Sequence, residues 1–242
     1  MRRAALLIIL LAAVSTPALA EPITFVGSSG SLAASVTFDV IDESDQLIVT
    51  LTNTSSADVM APGDVLTAVF FTLNDTTLTR DSGVLGSFVV YDPDGQPAGG
   101  VIGGEWAYKS GISQYGANQI ISSSGLGIVG PGDLFPGDNL AGPASPDGVQ
   151  YGLLSAGDDT GTGNGGITGS EGLIKNAVVF TLGGLDCSSV SECGIGSVTF
   201  QYGTSLTETS IPGGSVPEPG TFLLLGLGLT GLAVARRRTS RN

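Results

Sequence analysis

From Ser35 to Val40 polar and apolar residues alternate one by one: Ser35, Thr37 and Asp39 against Val36, Phe38 and Val40. Only an extended strand turns successive side chains to opposite faces, so this set predicts a strand buried on one side, over residues 32–41. The polar turn 42–45 and the run 46–52, with Leu47, Val49 and Leu51 on one face, complete a hairpin. Residues 23–26, 65–73, 84–91, 173–182 and 197–202 read as further strands. The fifth of these, 197–202, alternates cleanly and the second, 65–73, is almost wholly apolar. No long helical periodicity appears between residues 21 and 215, and no clean internal repeat argues for a β-helix or propeller. Seven or more short strands punctuated by Gly, Asp and Asn turns predict an all-β chain, a jelly-roll-like β-sandwich.

One long segment departs from that pattern. Residues 92–170 hold 21 of the 38 glycines together with Trp106, Tyr108, Tyr115 and Tyr151. This reads as a Gly-rich loop insertion with short strands or single turns, packed onto the sandwich by its aromatics. Residues 158–170 read as an exposed flexible loop, and 204–215 as a linker.

The two ends of the chain differ from its middle. Arg2-Arg3 precede an apolar stretch from Ala4 to Val14, and Ala18-Leu19-Ala20 form a small-x-small cleavage site. This predicts a signal peptide over 1–20, translocated by the secretory translocon and removed by signal peptidase so that the mature chain begins at Glu21. At the other end stand Pro217-Glu218-Pro219, an uncharged run over 220–235, and Arg236-Arg237-Arg238. Two prolines fix an extended tripeptide. Sixteen uncharged residues as a helix reach about 24 Å, a short but workable transmembrane segment. The arginines stay cytoplasmic, which leaves everything before Val216 on the far side.

The tripeptide, span and arginine cluster resemble the PEP-CTERM sorting signal, and the resemblance is confined to about a tenth of the chain. It implies a substrate of an exosortase-type processing enzyme, held in the inner membrane by its C-terminal helix and then delivered to the cell surface or beyond. It also implies a Gram-negative-type bacterium. The domains expected are therefore 1–20 signal helix, 21–203 exported β-sandwich, 204–215 linker and 216–242 sorting signal.

Residues 21–215 carry three cations, Arg80, Lys109 and Lys175, against 21 acidic side chains, a net charge of −18. Such a surface repels phosphate backbones, which argues against nucleic acid as a partner. The chain has no histidine, which removes the commonest general base and most zinc sites. Nucleophile-elbow and phosphate-loop motifs are absent. Glu105 beside Trp106 and Tyr108 is the most site-like carboxylate, since aromatics stack on sugars, although a core Trp beside a solvated Glu explains the same residues. Calcium is a minor alternative on Asp92-Pro93-Asp94-Gly95, Asp42–Asp45 or Asp158-Asp159. The first begins like a calcium loop but lacks its later ligands. No cofactor is otherwise expected. Cys187 and Cys193 predict a disulfide in an oxidising compartment.

The expectation is a non-catalytic surface or extracellular-matrix protein with a structural or adhesive role in the envelope or a biofilm. The alternative is a carbohydrate-binding module that meets extracellular polysaccharide through Trp106, Tyr108 and Tyr115. A glycoside-directed enzyme is the third reading.

Overall fold

The computed structural model describes residues 21–74, 78–92, 95–162, 167, 172–216 and 228. Among the described residues fourteen strands follow one another: β1 Ile23–Ser29, β2 Leu32–Ile41, β3 Gln46–Asn53, β4 Leu66–Thr72, β5 Thr79–Leu85, β6 Val89–Val90, β7 Ala107–Ser110, β8 Gln119–Ser122, β9 Leu153–Leu154, β10 Leu173–Lys175, β11 Ala177–Gly183, β12 Gly196–Tyr202, β13 Ser210–Pro212 and β14 Gly214–Ser215. Residues 21–216, as described, are all-β, in two sheets. One runs β14-β1-β2-β3-β11-β5; the other runs β13-β12-β4-β9-β10-β6, with β8 also on β4 and β7 on β8. Among the described residues no helix is long and apolar enough to cross a membrane. Residues 1–20, Pro217-Glu218-Pro219, the rest of the 220–235 span apart from Gly228, and Arg236–Arg238 lie outside the described residues.

The period of two places Val36, Phe38 and Val40 of β2 beside Leu47, Val49 and Leu51 of β3, all buried. They share one apolar core with Val69 and Phe71 of β4 and Phe200 of β12, from the other sheet. The Phe38 and Phe71 rings meet across that interface with centroids 5.0 Å apart. β4 reads as continuously apolar because both of its faces are buried. Ala68 and Phe70 point away from the shared core and are covered by Ile112, Tyr115 and Ile128 of the insertion.

Two expected strands each divide between the sheets. The run 84–91 becomes the end of β5 and all of β6; the run 173–182 becomes β10 and β11. The breaks lie side by side. Gly86 donates its N–H to the Ala177 carbonyl at 2.9 Å, and Lys175 donates to Phe88 at 2.8 Å. A Cβ on Gly86 would sit 3.0 Å from the Ala177 backbone, while Asn176 turns the other strand through a left-handed φ of 58°. A paired ribbon thus bends from one sheet into the other and closes one edge of the molecule. Alternation alone could not show this, because both halves of each run stay extended.

Residues 204–215, expected as a linker, belong to the fold. β13 pairs with β12, and β14 pairs with β1. They close the opposite edge.

The insertion is tied down by all three cations of residues 21–215. Arg80 donates to the Gly132 carbonyl at 3.0 Å, Lys109 to Ile128 at 2.7 Å and Lys175 to Asp158 at 2.7 Å. Arg80 and Lys109 also stand 3.9 and 3.6 Å from the Asp133 carboxylate. These contacts engage the three cations of residues 21–215 with the domain's own loops, against 21 acidic side chains in the same residues.

Candidate functional site

Three places could carry function: the aromatic region around Glu105, the acidic turns, and the edge from which the C-terminal tail leaves.

The first is built into the core. Trp106 is fully buried; its ring packs against Phe180 at 5.1 Å and its indole N–H donates to the Tyr151 carbonyl at 3.0 Å. Tyr108 is buried and donates its hydroxyl to Gln119 at 2.7 Å. Tyr115 lies on the outer face of β4, edge-on to Phe70 at 5.0 Å, with its hydroxyl 2.9 Å from the Gln201 side-chain oxygen. The three aromatics expected to face a ligand are therefore engaged in packing, Trp106 and Tyr108 within the shared core and Tyr115 on the outer face of β4. The short spacing of Trp106 and Tyr108 suggested a shared platform, but both rings are buried in the core, Trp106 against Phe180 of β11 and Tyr108 against Phe135 and the neighbouring strand β8.

Glu105 is not a solvated neighbour of Trp106 either. It is wholly buried. One carboxylate oxygen accepts the Leu140 N–H and the Ala141 N–H, the latter at 3.2 Å; the other accepts the Ser145 hydroxyl at 2.5 Å. Burial pushes its pKa up, against the opposing pull of these hydrogen bonds, and Asp147 adds to the rise. Gly103 and Gly104 allow the bound loop to come this close. A Cβ at either position would stand 2.0 Å from the carbonyl of Pro136 or Asp138. The geometry is that of a clamp on residues 137–145, with all three of the carboxylate's hydrogen-bond donors supplied by Leu140, Ala141 and Ser145.

The Asp158-Asp159 turn is also engaged internally. Asp158 accepts the Val59 N–H at 3.2 Å and the Tyr91 hydroxyl at 3.1 Å. Burial raises its pKa, and burial beside Asp158 pushes the Tyr91 phenol up to about 12. Asp58 accepts the Asp159 N–H at 3.0 Å, which lowers its pKa. Asp42–Ser44 is a single exposed turn closed by Asp45 in a left-handed conformation. Pro93 and Asp94 of the expected calcium loop lie outside the described residues. Among the described residues no three acidic or sulfur side chains converge as a metal-holding set.

Cys187 and Cys193 form a disulfide between β11 and β12, with Cα atoms 5.3 Å apart. Cys193 is buried in the shared core and its N–H donates to Ser189 at 2.9 Å, so the bridge fixes a compact loop onto the end of the sandwich.

The exit of the tail has the most specific geometry. After β12 the chain turns through 203–209, where Glu208 accepts the N–H groups of Thr204 and Ser205 at 2.7 and 2.8 Å. β13 then runs back along β12 and buries Ile211 in the core. Gly213 donates to the Val198 carbonyl at 2.9 Å and carries the chain across to the other sheet. A Cβ there would meet Val198 at 2.9 Å; a Cβ on Gly27 would meet the Pro212 carbonyl at 2.8 Å. β14 then pairs with β1, Ser215 opposite Phe25 and Gly214 opposite Val26. Val216 adds one more bond, its N–H donating to the Thr24 carbonyl at 2.8 Å. Thr24 lies three residues from the exposed Glu21, so both ends of the domain meet on this edge. Sequence reading missed this strap. Its signals were local: Ser205-x-x-Glu208 is a turn-closing pattern, and Ile211 is an isolated apolar residue beside Pro212.

The sorting-motif residues continue from here. The PEP-CTERM protein-sorting motif matches residues 215–238, beginning inside β14 and running through Pro217-Glu218-Pro219 and Arg236–Arg238. This match implies an exported protein that an exosortase processes. No curated protein and no solved structure matches the chain.

Proposed function

We propose that this chain is a non-catalytic component of the cell surface or extracellular matrix, delivered there as an exosortase substrate. It would act as a structural or adhesive β-sandwich, jelly-roll-like in placing two sheets over one core. The carrying observation is the sorting motif at residues 215–238, which starts on the last strand of a folded all-β domain. The domain supports the reading in three ways. Its cations are engaged with its own loops, its exterior is acidic, and Glu105 is a buried clamp for a loop. In this account residues 1–20 direct export through the secretory translocon, signal peptidase frees Glu21, and the 220–235 span holds the precursor in the inner membrane until it is cut. The mature domain then meets extracellular polysaccharide of the envelope or biofilm.

Cell fractionation tests this role. The wild-type chain is expected outside the inner membrane, and a variant with Pro217-Glu218-Pro219 replaced by alanines is expected to stay in it. Equal distribution of the two would refute exosortase delivery. A hydrolytic activity lost on Glu105→Gln, with folding retained, would refute the non-catalytic role.

A further inference from the structure

The motif begins where the fold has not yet ended. Val216 is hydrogen-bonded to Thr24 at 2.8 Å, and Pro217 is the next residue. No slack separates the recognition tripeptide from the sheet edge. From Val216, a fully extended chain reaches the end of Pro219 in about 10 Å; released back to Gly213 it reaches roughly 20 Å. A membrane-embedded enzyme that must draw an extended peptide into its own site therefore competes with β1 for the same backbone. Peptides gripped by a sheet edge present their N–H and C=O groups to that edge and not to another binder.

The two halves of the strap differ in strength. β13 is anchored, with Ile211 in the core and Gly213 bonded to Val198. β14 has only two residues, both exposed, and nothing lies within 4 Å of where a Gly214 side chain would begin. Val216 and Val26 are exposed on this same edge at 42% and 46%. Local opening is cheapest where few buried contacts hold the backbone, so the chain opens at Gly213 and not before it.

We propose that β14 and Val216 form a gate on processing: the exosortase acts on the chain only when this short strand has peeled from β1, and Gly213 is the hinge. The gate rests on the exosortase-substrate reading above. It adds that the folded domain, and not the tripeptide alone, sets how fast the precursor is cut. It makes Gly214, Ser215 and Val216 positioning residues for a cut that falls beyond them.

The test follows processing of the full-length chain in exosortase-bearing cells by pulse-chase and intact mass. Thr24→Cys with Val216→Cys pins the last bonded pair, which lies one step beyond the Phe25–Ser215 register. The cross-linked chain is expected to accumulate as precursor, and the same double variant kept reduced is expected to be cut. A six-residue Gly-Ser insertion between Ser215 and Val216 supplies slack without disturbing the core. It is expected to speed cutting by about tenfold or more, the reciprocal of the open population that a few edge hydrogen bonds leave. Wild-type rates in both the cross-linked and the inserted chains would overturn the gate. If the wild type and a Pro217-Glu218-Pro219→Ala variant both stay uncut, the sorting reading itself fails and the gate with it.

Discussion

Replacing Glu105 by alanine separates a clamp from a site. The carboxylate accepts two backbone N–H groups, from Leu140 and Ala141, and the buried Ser145 hydroxyl. Alanine leaves the two N–H donors without an acceptor and the Ser145 hydroxyl with only its longer bond to Asp147, at 3.3 Å. Each unsatisfied buried donor costs about 1–3 kcal/mol, and water entering the vacated space recovers part of it, so the loss is about 3–5 kcal/mol. For a domain of this size each kcal/mol lowers the melting temperature by about 2–4 °C, which predicts a fall of roughly 6–20 °C. Glu105→Gln keeps one carbonyl oxygen for the two N–H groups and turns its amide toward Ser145, so it is expected to lose only about 1 kcal/mol. Urea or thermal unfolding of the exported domain measures both. If Glu105→Ala lies within about 0.5 kcal/mol of the wild type, a size ordinary for surface changes, the carboxylate is not holding the 137–145 loop and the clamp is wrong.

Further expectations concern charge, packing and the cross-link. Burial raises the Glu105 pKa above 4.5, so the folded state holds this proton more tightly than the unfolded state. Its stabilising contribution is complete below 4.5 and is lost as pH rises through the higher folded value. Wild-type stability should therefore decline relative to Glu105→Gln on going from pH 4 to neutral, and parallel melting curves across that range would contradict the shift. Trp106→Ala should cost about 3–5 kcal/mol of stability, because it empties a fully buried site against Phe180. Glycan binding that disappears in this variant while the melting temperature stays unchanged would restore Trp106 as a ligand contact. Converting both Cys187 and Cys193 to serine should cost about 2–3 kcal/mol, the entropy of a short closed loop in the unfolded chain. Equilibrium unfolding of oxidised and serine forms checks it, and equal midpoints would show that the core around Cys193 holds the loop without the bridge.

Much of the architecture could be read from single residues. Alternation at 35–40 and 47–51 marks β2 and β3, and the apolar run 65–73 marks β4. Those patterns arise because each strand has one or two buried faces, a local consequence of the fold. The strand switches could not be read the same way. At Gly86 and Asn176 the chain stays extended while its partners change, and partner choice depends on residues about ninety positions apart. The strap failed for a related reason. Residues 210–216 have little apolar content, and their order comes from close approach at Gly27 and Gly213 to strands far back in the sequence. Trp106 and Tyr108 looked like a sugar platform because aromatic residues serve packing and recognition equally well. Glu105 looked solvated because a buried carboxylate needs partners, and those partners sit thirty-five and more residues away. The sorting motif of the tail was legible because its meaning is linear: a tripeptide, an uncharged run and three arginines.

The central claim is that the folded domain is separated from its own C-terminal tail on delivery. Intact mass of the native protein recovered outside the inner membrane tests it most directly. The account predicts a chain that begins at Glu21 and ends near Pro217-Glu218-Pro219, lacking Arg236–Asn242. Recovery of a chain that still carries Arg236–Asn242 would contradict it.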